Sequence, residues 1–241
     1  MEALFWGFLS ASSLLIGAAL ALRFKFPRRV VGFIMAFGVG ALISSVSFEL
    51  ISGAFNIANG FPIVGLGVAA GALTYFLGDL WIDKHGGKHR KSTEKSNKNS
   101  GLAIFLGTVL DGVPESLVIG IGLAGGRAVS AAMVAAVFIS NIPEAITSSV
   151  GLRASGWKKR YIFALWAVVV TISALAAWAG FAIFGDASPL MRAFILAFAG
   201  GAILTMLADS MMPEAYRDSG DVTGLIVVLG FCIAFAVTTI E

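Results

Sequence analysis

Histidine and cysteine are almost missing from this chain, which has two His, at positions 85 and 89 of one polar loop, and a single Cys at position 232. One cysteine excludes an intrachain disulfide and leaves only a weak thiol candidate for metal. With no histidine in any apolar segment, imidazole is excluded there as a ligand or a catalytic base. Charge is scarce too: 13% of residues are charged and 58% hydrophobic, with a mean hydropathy of +0.90. Soluble domains average about 25% charged residues, so an ordinary water-soluble fold is excluded. An enzyme is not expected, because there is no large aqueous domain, no transmembrane His and no evident nucleophile–base pairing.

Long apolar runs take the place of what is missing. Eight stretches, at roughly 3–22, 30–54, 62–82, 101–124, 128–152, 160–185, 190–214 and 222–240, are each long enough to cross a bilayer as a helix. The expectation is an all-α polytopic membrane protein whose 1–241 form one transmembrane domain: spans one to three at 3–82, a cytoplasmic loop at 83–100, spans four and five at 101–152, and spans six to eight at 160–240.

The net charge of +3 does not point to nucleic acid, because the basic residues fall in alternate loops. Arg23, Lys25, Arg28 and Arg29 follow the first span, Lys84 to Lys98 the third, and Arg153, Lys158, Lys159 and Arg160 the fifth. The even loops are poor, with Arg127 alone after span four and Arg192 after span six. The positive-inside rule puts the rich loops in the cytoplasm and both termini outside. Only Met1 and Glu2 precede the first span, and its positive cluster comes after it, so it reads as a retained span and not as a signal peptide. The short loops suggest a multi-pass protein of a prokaryotic inner, or cell, membrane. His85 and His89 lie among lysines and arginines, and a solvated or lipid-facing basic loop is a better account of them than a metal site.

The chain also repeats itself. Ala36-Phe37-Gly38-Val39-Gly40-Ala41 in span two matches Ala197-Phe198-Ala199-Gly200-Gly201-Ala202 in span seven, and each runs on to an acid, Glu49 or Asp209. Gly65-Leu66, Val68 and Gly71 in span three match Gly224-Leu225, Val227 and Gly230 in span eight. Partners lie an odd number of spans apart, so they run in opposite directions, as in an inverted repeat of three helices, a central pair and three more.

That central pair carries the chemistry. Spans four and five contain Asp111-Gly112-Val113-Pro114-Glu115 and Ser140-Asn141-Ile142-Pro143-Glu144, with no Lys or Arg in either run to neutralise the acids. A carboxylate near the bilayer centre costs roughly 2.5–3.5 kcal/mol on insertion scales, so each must be protonated, held by donors or matched by a cation. Asp111 and Glu115, four apart, share a face with Thr108, while Ser140, Asn141, Glu144, Thr147 and Ser148 form a second polar stripe, and two such stripes on consecutive antiparallel helices need each other. Pro114 and Pro143 free the carbonyls of Leu110 and Ile139, adding oxygen ligands and flexible joints. Oxygens of Asp111, Glu115, Asn141 and Glu144, with Ser140, suit a divalent cation, and its binding should weaken at low pH. The plainer alternative is that the acids are protonated and bond between helices.

With these motifs in place, the whole chain resembles the ZIP family of divalent-metal transporters. In that family the fourth helix reads His-Asn-x-Pro-Glu-Gly and the fifth reads Gln or His, then Asp or Glu, before x-Pro-Glu. The resemblance implies metal ligands at Asp111, Glu115, Ser140, Asn141 and Glu144, and movement of the ion into the cytoplasm. The ion is then the transported substrate; no cofactor is implied, and a homodimer in the bilayer is. The family's helix-four His is Asp111 here, its Asn is Gly112, and a Glu that many members carry in helix six is Ser173. These departures favour one principal site over two. A histidine-free, oxygen-rich set tilts preference toward Mn²⁺ or Fe²⁺, with Zn²⁺ retained as a candidate. Glu49, Asp209 and Glu214 resemble the family's acids near the pathway mouths, while Asp79 and Asp83 read as charges facing water or headgroups. Two other readings stay open: a proton-coupled carrier of another solute, and a non-transporting membrane protein that keeps the fold.

Overall fold

The computed structural model describes residues 1–84, 100–124 and 130–240, so the basic loop with His85 and His89, and Arg127, lie outside the described residues. Among the described residues the expected spans are predominantly helical and no strand occurs. In chain order the helices are α1 (Glu2–Arg23), α2 (Arg28–Ser45), α3 (Ser52–Ala58), α4 (Phe61–Ile82), α5 (Ser100–Ala124), α6 (Ala131–Ala154), α7 (Lys159–Phe184), α8 (Pro189–Met206), α9 (Met212–Ser219) and α10 (Thr223–Ile240). A π-helical turn, Val46–Ile51, joins α2 to α3, and another, Leu207–Met211, joins α8 to α9.

The ends of these helices follow local chemistry. Ser130 caps α6 by accepting from the Met133 N–H at 3.0 Å, and Ser188 caps α8 by accepting from the Met191 N–H at 3.3 Å. Proline stands in the first turn of α4 and of α8, where its missing N–H is not needed. Asn59 stops α3 in the left-handed region at φ 51°.

Seven described helical stretches are long and apolar enough to cross a membrane, and the last, Pro189–Ile240, runs for 52 residues. A straight helix of that length would be about 78 Å long, more than twice the hydrocarbon thickness. It is not straight. Gly220, at φ +71°, breaks it. Gly32 near the start of α2 abuts Asp218 and Ser219, while Gly200 abuts Val46 and Ile51 near the end of the same helix, so α8 and α9 run against α2. Gly40 abuts Val227 and Phe231, and Thr238 bonds Glu49, so α10 runs with α2. The chain therefore reverses at Gly220.

Helix pairing rests on glycine. A Cβ on Gly40 would overlap the carbonyl oxygen of Val227, and one on Gly230 that of Phe37, which locks α2 to α10. In the same way Gly201 meets the Val68 carbonyl and Gly71 that of Phe198, which locks α8 to α4. These are the repeat positions of the sequence: Phe37 and Gly40 correspond to Phe198 and Gly201, and Val68 and Gly71 to Val227 and Gly230. Small residues let helix backbones approach closely where lipid supplies no hydrophobic drive between helices. The two π turns also correspond, and each contains the acid of its repeat, Glu49 or Asp209.

Of the candidate spans, α6 is the most buried. α1 and α2 pack along it, and α7 packs along both α1 and α5. The fully buried Trp166 of α7 donates its indole N–H to Ser149 Oγ of α6 at 2.9 Å. Outward faces of α4 and α10 expose Leu66, Leu73 and Leu77, and Leu225, Val228 and Leu229. Apolar residues outside and polar ones inside are the arrangement that a helical membrane protein requires.

Candidate cation site

Three carboxylates are buried in the two proline-containing helices. Asp111 and Glu115 of α5 are 3% and 2% exposed, and Glu144 of α6 is 7% exposed. Thr108 and Ser116 of α5, and Ser140, Asn141, Thr147 and Ser148 of α6, are buried as well. Both stripes read from the sequence are thus inside the protein, and both helices continue through their prolines.

The helices that present these stripes are held by close contacts at the same level. On α6, a Cβ at Gly38 of α2 would lie 2.9 Å from Ser140 Cα, and one at Gly17 of α1 would lie 2.6 Å from the Ile142 carbonyl oxygen. Glycine at these two places lets neighbours press on α6 on either side of the Ser140–Glu144 motif. On α5, Gly120 and Gly180 of α7 interlock by the same device. Ser140 Oγ donates to the Val137 carbonyl at 3.0 Å, and Thr147 Oγ1 to the Pro143 carbonyl at 2.8 Å, so both hydroxyls offer lone pairs rather than protons to the site.

Asp111 has a partner that sequence reasoning missed. The hydroxyl of Tyr75, on α4, donates to Asp111 Oδ1 at 2.5 Å, and Tyr75 is itself 2% exposed. A signal was available, since the chain has only three tyrosines and this one lies inside an apolar span. A buried phenol there needs an acceptor.

Gly112 and Ser173 also face each other. A Cβ on Gly112 would lie 3.4 Å from Ser173 Oγ across the α5–α7 interface. The two positions at which the ZIP resemblance loses ligands are therefore one place in the fold, and its small residues let α5 and α7 close together.

One expectation needs correction. The two polar stripes do not run along each other: α5 packs chiefly on α7, α6 on α1 and α2, and α5 and α6 meet only narrowly. Among the described residues no group of three or more His, Cys, Asp and Glu side chains is arranged to hold a metal ion. Asp111 and Glu115 share one face of α5, while Glu144 lies on α6, which packs chiefly on α1 and α2. Antiparallel succession in sequence implied a shared interface, but the glycine contacts with α7 and with α1 and α2 draw the helices elsewhere.

The outlying acids divide. Glu49 accepts from Thr238 Oγ1 of α10 at 3.2 Å, and Glu214, 4% exposed, pairs with Arg217 at 3.2 Å. Asp209 is exposed in its π turn, and Asp79 and Asp83 are partly exposed at the end of α4.

Fold and site together define a helical membrane protein with carboxylates buried in its interior. Compared with models of known protein families and with characterised proteins, the chain matches none.

Proposed function

We propose that this protein is a carrier for a divalent transition-metal cation, Zn²⁺, Fe²⁺ or Mn²⁺, which it moves into the cytoplasm through the polar faces of α5 and α6. The observation that carries this reading is the burial of Asp111, Glu115 and Glu144, none more than 7% exposed, in membrane-length helices with no Lys or Arg at 100–124 or 131–152. Acids buried inside membrane-length helices mark cation or proton paths. In this proposal Asp111 and Glu115 of α5, and Ser140, Asn141 and Glu144 of α6, supply the oxygens, and Tyr75 holds Asp111 until the ion displaces its hydroxyl. α5 packs chiefly on α7, and α6 on α1 and α2; in this proposal a shift along those contacts brings the ligands together and apart, as alternating access requires.

The architecture proposed with it has eight spans in a three–two–three inverted repeat, both termini outside, in the cell membrane. The reciprocal glycine contacts and the paired π turns support that arrangement, as does the resemblance to ZIP transporters. A non-transporting protein of the same fold is the second reading, favoured by the narrow α5–α6 contact and by the missing three-acid group.

Uptake into proteoliposomes distinguishes the two. Purified protein should take up at least one of Zn²⁺, Mn²⁺ and Fe²⁺ well above protein-free liposomes. Absence of flux for all three would overturn the carrier reading.

A further inference from the structure

A cavity of about 500 Å³ opens at one end of the bundle, where the α1–α2 link, the end of α6 and the end of α9 meet. Its charges are Lys25, Arg28 and Arg153 against a single acid, Asp218. The three cations make no ion pair among the described residues, whereas Asp218 is already paired with Arg217 at 3.2 Å. A cavity of this sign repels a divalent cation and attracts an anion, although Thr147 of the α6 polar stripe also reaches its wall. Its remaining wall is largely apolar, with the buried Val31 and Ile146 on the inner side. At the rim Phe24 and Val150 are 55% and 37% exposed, on a protein whose exposed apolar residues face lipid.

We propose that this cavity binds the phosphate headgroup of an anionic glycerophospholipid, with Lys25, Arg28 and Arg153 on the phosphate and the apolar wall against the start of the acyl chains. Basic pockets between helices on the cytoplasmic side suit such headgroups, each cation near the surface contributing on the order of fivefold in affinity. A free phosphate anion shares the charge but makes no use of Phe24, Val31 or Val150, and that difference selects the lipid. The site is independent of whether the protein carries metal.

The test is native mass spectrometry of the delipidated full chain titrated with dioleoylphosphatidylglycerol or dioleoylphosphatidylcholine. Wild type should hold one phosphatidylglycerol in clear preference to phosphatidylcholine. A Lys25→Gln, Arg28→Gln, Arg153→Gln variant should lose that preference, on the order of 100-fold for three cations. A Lys158→Gln, Lys159→Gln, Arg160→Gln variant removes equal charge from the same end outside the cavity and should keep it. A Lys25→Arg, Arg153→Lys variant should also keep it, which separates loss of charge from loss of fold. Equal loss in both neutralised triple variants, no lipid preference in wild type, or displacement of the lipid by millimolar glycerol 1-phosphate would each overturn the proposal.

Discussion

α4 and α6 are nearly equal in length, at 22 and 24 residues, and both are long and apolar enough to cross a membrane, yet 22% of an 18-residue apolar window of the first and 72% of such a window of the second is buried. α4 turns Leu66, Leu73 and Leu77 outward and touches the protein along one line of glycine. α6 is surrounded, and it carries Ser140, Asn141, Glu144, Thr147 and Ser148 inside. Hydropathy alone hardly separates them. What separates them is the placement of polar residues: a lipid-facing helix tolerates them poorly, and a central one uses them.

Four substitutions break or sharpen this contrast. The largest effect should come from Gly71→Val, because even a Cβ there overlaps the Phe198 carbonyl, and backbone cannot move aside as a side chain can. We expect a loss of about 3 kcal/mol or more, or no folded protein, by thermal unfolding in detergent. Next, Gly38→Ala should press α2 against Ser140, where the added Cβ meets Cα at 2.9 Å. Roughly 1–3 kcal/mol of stability should go, and metal uptake should fall further than that of an equally destabilised variant remote from α6.

Tyr75→Phe tests the polar link from α4 to Asp111. Removing the donor to Asp111 should lower stability by about 1–3 kcal/mol. It should also change the ranking of the three metals, which a purely structural bond would leave alone. The smallest effect belongs to Leu73→Ala on the outer face of α4, within about 0.5 kcal/mol of wild type in the same unfolding measurement. A large loss there would mean that this face is covered by protein rather than lipid.

Much of this fold was legible because its signals are local. Runs of about 20 apolar residues give helices, and Ser130, Ser188, Pro62 and Pro189 mark where helices begin. The repeat was legible as matched glycines at 40 and 201 and at 71 and 230. Which helix each glycine would meet was not, since small-residue motifs do not name their partners. The same limit explains the site. Spacing placed Asp111 with Glu115, and Ser140 with Glu144, on buried faces, because helical period fixes which residues share a stripe. It carried no information on what lies opposite, so the Tyr75 hydroxyl went unseen, as did the packing of α5 chiefly on α7 and of α6 on α1 and α2. The π turns were invisible too, for neither Val46–Ile51 nor Leu207–Met211 contains a glycine or proline.

The most direct test of the central claim is metal uptake by a Glu115→Gln, Glu144→Gln variant, reconstituted beside wild type at matched orientation and amount. Both changes keep side-chain volume and remove charge. Flux in wild type that falls at least about 100-fold in a variant of unchanged unfolding temperature would place the cation path on α5 and α6. Flux retained within about twofold would contradict it and leave those buried acids with a structural role alone.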